Sequence, residues 1–127
     1  MGAKELLNRP PTEAELNAAE FLKDQLKEQI AAVKNFPEQG FGLAGMVVKR
    51  PGIMVEYAQI PGGKEVVITP EGLFITRSFH ALEEIGGHFY QDSAPSLGDM
   101  RPAETYDYLK YSVSASQALE EIRLSQD

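Results

Sequence analysis

Residues 53–77 read IMVEYAQIPGGKEVVITPEGLFITR. Three β-branched, apolar runs, Ile53–Ile60, Glu65–Thr69 and Leu73–Arg77, are separated by Pro61-Gly62-Gly63 and Pro70-Glu71-Gly72. Proline presets the first turn dihedral, glycine supplies positive φ, and a connection this short joins only antiparallel neighbours. Upstream, Arg50-Pro51-Gly52 punctuates a further run, Leu43–Lys49, so the span from Phe41 to Arg77 reads as a four-stranded β-meander. His88-Phe89-Tyr90 offers a short fifth strand. A meander of this kind has an apolar face that helices must cover.

The flanking segments supply those helices. Residues 1–11 end in Arg9-Pro10-Pro11, which forbids helix continuity and marks a flexible leader. Thr12-Glu13-Ala14-Glu15 is a capping box, and Ala18, Ala19, Leu22, Leu26, Ile30 and Val33 follow at helical spacing, with charged residues on the other side. Asn35-Phe36-Pro37 closes this helix. In Ser78–Ile85 the spacing of Phe79, Leu82 and Ile85 predicts one or two helical turns stopped by Gly86-Gly87. Residues 91–101 are polar, turn-rich and without periodicity, as in an exposed loop. Thr105–Tyr111 alternates like a strand, and Ser114-Ala115-Ser116-Gln117 matches a second capping box. The spacing of Tyr108, Tyr111, Ala115, Ala118 and Ile122, over nearly twenty residues without Gly or Pro, favours one long helix over 102–125. The expected architecture is α+β: an amino-terminal amphipathic helix, a meander of four to five antiparallel strands, a short helix, and a long carboxyl-terminal helix packed on the sheet, all in one domain over residues 12–127.

Composition narrows function by exclusion. The 127-residue chain carries 19 acidic and 12 basic residues, a formal charge of −7 that repels phosphate backbones and anionic membrane surfaces. Nucleic-acid and membrane partners are therefore not expected. The absence of cysteine removes disulfides, thiolate metal sites and thiol nucleophiles, and is compatible with a reducing compartment. No apolar run has the length of a signal peptide core or a membrane span, so a cytoplasmic location is expected.

Gly40 to Val47, GFGLAGMV, fits the G-x-G-x-x-G-x-V pattern of phosphate-covering loops. A dinucleotide fingerprint follows a strand and opens a helix, whereas here a helix precedes and a strand follows. Kinase machinery is missing as well, with no H-R-D and no D-F-G. Gly40, Gly42, Gly45 and Lys49 remain a candidate cradle for a small ligand or nucleotide beside the 91–101 loop, though three glycines at a helix-to-strand junction also serve close packing and positive φ. In such a cradle, Gly42→Val removes ligand retention and leaves the fold intact. His80 and Glu84, one helical turn apart if 78–85 is helical, make with His88 a candidate metal site, although H-E-x-x-H and H-x-x-E-H are both absent. G-x-S-x-G is absent too, and no cofactor motif is found. Tyr106, Tyr108 and Tyr111, with Ala115 and Ile122, form a stripe suited to an interface with a partner or a second copy, or to the chain's own sheet.

No residue motif here is that of a known family. The order helix, antiparallel strands, short helix, strand, long helix, with small size and acidity, resembles that of type III secretion chaperones. That resemblance implies a dimer that binds extended segments of other proteins. The expected function is a small acidic non-enzymatic binding protein, of inhibitor, immunity-factor, chaperone or adaptor type, acting through protein contacts as a homodimer. Its contact surface would be the tyrosine-rich helix or an outer strand. The alternatives are the ligand-sequestering protein with its pocket at Gly40–Gly45 and, more distantly, a metal-dependent hydrolase using His80, Glu84 and His88.

Overall fold

The computed structural model describes residues 9–85 and 88–126; residues 1–8 of the expected leader at 1–11, and the stop at Gly86-Gly87, lie outside them. Helix α1 spans Glu13–Ala31 and starts as its sequence dictates: Thr12 accepts the amide of Glu15, and the Glu15 carboxylate accepts the amide of Thr12. It ends at Ala31, before the Asn35-Phe36-Pro37 signal.

Strands β1 (Glu38–Leu43) and β2 (Met46–Pro51) form a two-stranded antiparallel ribbon. Strands β3 (Ile53–Glu56), β4 (Lys64–Thr69), β5 (Gly72–Ile85) and β6 (His88–Pro95) follow as a meander, and β7 (Arg101–Pro102) pairs with the amino half of β5. A 3-10 turn at Leu97–Asp99 links β6 to β7. Helix α2 runs unbroken over Thr105–Ser125, so residues 105–111 are helical and the Ser114 capping signal starts nothing. The fold is thus mixed α+β, with a helix at each end of the described chain and antiparallel sheets of two and five strands.

One expected element is absent. Residues 78–85 form the carboxyl half of β5, paired with 88–95 from Ser78↔Pro95 to Ile85↔His88, and not a short helix. Eight residues of continuous pairing with a partner strand outweigh a three-residue apolar spacing that one helical turn could not stabilise alone. The polar 91–101 segment is correspondingly β6, a 3-10 turn and β7.

Both helices cover one face of the sheet. Val66, Ile68, Leu73 and Ile75 point to Ala19, Leu26, Tyr108, Tyr111, Ala115 and Leu119 in a single core. Strand β4 is buried on both faces from Glu65 to Thr69, which explains why Val66-Val67-Ile68 reads as a continuous apolar run. On the opposite face, the buried Phe41 of the ribbon lines a crevice together with Thr69 and Phe74. Side-chain contacts advance together along the helices, Gln29 with Ser116 and then the Asn35 backbone with Gln126, so α1 and α2 run parallel and begin at the same end. No described helix is long and apolar enough to cross a membrane.

Candidate functional site

The glycine-rich stretch is a hairpin. Ala44 (φ 49°) and Gly45 (φ 82°) are the two central residues of a type I′ turn that joins Leu43 to Met46, the connection whose twist matches that of its strands. Gly40 and Gly42 lie within β1, opposite Lys49 and Val47. A Cβ on Gly42 would stand 2.1 Å from Cδ1 of Phe79, so this glycine is required by close approach of β1 to β5. Gly42→Val therefore disturbs the fold, contrary to its expected neutrality. Gly40 and Gly42 thus sit in a paired strand and Gly45 in its turn, and Lys49 extends from the exposed strand beside Gly40.

A crevice does lie next to that hairpin. Phe41, Phe74, Leu97, Met100 and Pro51, with Arg50, Thr69 and Glu71, enclose about 290 Å³ between the ribbon and the turn at 97–99. Its interior is apolar, and a charge of each sign sits among its lining residues. Such a lining suits a small, mostly apolar molecule with one polar end.

The tyrosine stripe turns inward. Tyr108, Tyr111 and Ala115 are 8%, 6% and 0% exposed and belong to the core beneath α2, with Ile122 packed against it. They are consumed by the chain's own sheet, so the expected contact surface on these residues is not presented to a second copy. Burial raises the Tyr108 phenol above its ordinary pKa. Tyr106 instead meets the segment before α1, with the Arg9 guanidinium 5.7 Å from its ring centroid and its hydroxyl donating to the Arg9 carbonyl at 3.4 Å.

The metal reading loses its geometry. In a strand, residues four apart are separated by about 13 Å, so His80 and Glu84 no longer share a turn. His88 pairs with Ile85 in the β5–β6 register; the side chains of Glu84 and His88 lie outside those described. Among the described residues no three His, Asp or Glu side chains converge on a metal-sized space. Ser78 Oγ lies 3.3 Å from His80 Nε2, the start of a nucleophile and base pair, yet Ser78 is buried and His80 Nδ1 is buried with no hydrogen-bond partner among the described residues to orient it. The buried carboxylate of Glu65, which accepts the Ala58 amide, belongs opposite Thr76, two alternate positions short of His80 along β5.

The ribbon turns apolar side chains outward, as Phe21, Tyr57, Ile60 and Val113 do elsewhere. Leu43, Met46 and Val47 are 39%, 62% and 46% exposed around the turn. Among the described residues β2 pairs only with β1, and no described strand lies along its other edge. The expected single run Leu43–Lys49 in fact spans the end of β1, the turn and most of β2, and the Ala44-Gly45 pair between apolar residues was the signal that divides it. No family model, no curated protein and no solved structure matches this chain.

Proposed function

We propose that the protein is a non-enzymatic, cytoplasmic binding protein that works through protein contacts as a homodimer, joined along the free edge of β2. The observation that carries this reading is the open edge itself, with Leu43, Met46 and Val47 exposed beside it. An unpaired edge offers its amides and carbonyls to another strand, and the usual protections of charge, proline or bulge are missing until Lys49. The strand is also self-complementary. Antiparallel pairing of two copies about Val48 sets Met46 of each opposite Arg50 of the other and Val47 opposite Lys49, so no two cations face each other directly. A cysteine-free chain fits a reducing compartment.

The test is native mass spectrometry of the wild type and of the double variant Met46→Lys, Val47→Lys, with thermal unfolding as control. We expect a wild-type dimer, a monomeric variant and an unfolding midpoint changed by only a few degrees, because both side chains are exposed. A wild-type monomer, or a variant that stays dimeric, overturns the proposal. A second reading, a small-ligand protein, is favoured by the crevice between Phe41 and Met100. It is registered in the same spectrum as a retained adduct of small-molecule mass.

A further inference from the structure

We propose that a separate cavity, at the junction of β4, β5 and β7, binds an oxyanion of the phosphate class. It holds about 440 Å³ and is lined by Lys64, Arg77 and Arg101, with Gly62, Ile75, Thr76 and Asp99. In a chain of net charge −7, three cations around one space are an uneven use of a scarce residue type.

Their placement has a cost that the fold relieves only in part. Lys64 and Arg77 are directly opposed across β4 and β5, on one face, and Arg101 opposes Ile75 on the other side of β5. Like charges in direct register destabilise a sheet. Asp107 of α2 reaches two of the three, at 3.2 Å from Arg101 and 3.6 Å from Lys64. Arg77 is exposed and makes no hydrogen bond or ion pair through its guanidinium with any described residue. Counting Asp99 and Asp107 against the three cations leaves one positive charge over, and Arg77 is the cation of the three with no side-chain partner among the described residues.

The chemistry of the donors selects the ligand. Two guanidinium forks present paired N–H groups to adjacent oxygens, and an ammonium adds a mobile point charge, the combination that suits a tetrahedral phosphate. Gly62, with φ 72° and nothing within 4 Å of a notional Cβ, leaves the entrance open. Asp107 holds Lys64 and Arg101 in place before any anion arrives, so their ordering is not charged to binding. The inference is independent of the dimer, since none of these residues lies on β2.

The experiment is a backbone amide NMR titration of the full chain with inorganic phosphate and, separately, with glycerol phosphate. Saturable shifts concentrated at Gly62, Lys64, Arg77 and Arg101 are expected with one or both probes. Tighter binding of glycerol phosphate identifies a phosphomonoester as the ligand, and equal binding identifies the free anion. Arg77→Glu is expected to weaken binding at least tenfold while raising the unfolding midpoint, since it turns the Lys64 pairing from repulsive to attractive; Arg77→Gln gives an intermediate loss. Lys27→Glu, which makes the same change in net charge on the outer face of α1, leaves binding unchanged. Shifts that grow linearly without saturating, or equal weakening by Lys27→Glu and Arg77→Glu, overturn the proposal.

Discussion

At Gly42 the ribbon has no room for a methyl group, because the space a Cβ needs is already filled by the base of the Phe79 side chain, at 2.6 Å from its Cβ. Gly42→Ala is expected to cost about 3 kcal/mol in chemical denaturation, the upper end of the overpacking range. Truncating Phe79 to Ala in the same chain returns part of that loss, and strictly additive costs in the double-mutant cycle would show that the two residues do not compete for space. The same glycine illustrates what the sequence conceals about sites. A glycine needed for a close approach and a glycine needed for a ligand's phosphate are one letter, and only the neighbour, Phe79, 37 positions away, tells them apart. The tyrosines pose the parallel difficulty. Helical spacing marks Tyr108, Tyr111 and Ala115 as a covered face, but whether the cover is the chain's own sheet or another molecule is decided by strands that local spacing does not see.

Among the elements, α1 was the most legible, because its amino end is written in four adjacent residues. Thr12 and Glu15 exchange hydrogen bonds as the capping pattern requires, and Arg9 adds a bidentate contact to the Glu15 carboxylate at 2.7 and 3.0 Å. The Arg9 hydrogen bonds, and then the Thr12 amide, hold the Glu15 carboxyl down to about 2. Because its folded-state pKa is depressed, the stability it contributes is present above the ordinary glutamate range near 4.5 and is lost as pH falls from there toward about 2. The group is exposed and open to screening, so the expected loss is small. Carboxyl NMR should find Glu15 titrating well below the other glutamates, and Arg9→Ala should move it back up; an unmoved titration would mean that the Arg9 contact does not persist in solution. Strand β4 was equally legible from its unbroken apolar run. Strand β5 was legible only to Arg77, since its second half owes its conformation to β6, and Phe79, Leu82 and Ile85 carry a helical spacing by coincidence. The helix α2 was recovered by length where periodicity conflicted.

On the scale of the whole molecule, the two helices lie side by side in the same direction although the entire sheet separates them in the chain. Their amino ends meet at one pole, where Glu13 and Glu15 of α1 and Asp107 of α2 place carboxylates in the first turns and offset two like-oriented dipoles. Ala19 and Leu26 of α1 share one core with Ala115 and Leu119 of α2. This arrangement bears on how the molecule is made. Helix α1 is synthesised about ninety residues before the helix it leans on, so its apolar stripe waits while the meander assembles, and the closing step joins segments far apart in sequence. If docking of α2 is that last step, Leu119→Ala should lower stability by about 2–5 kcal/mol and do so almost wholly by speeding unfolding, with refolding little changed. A stopped-flow chevron in which the refolding arm drops instead would place the helix pair at the start of folding.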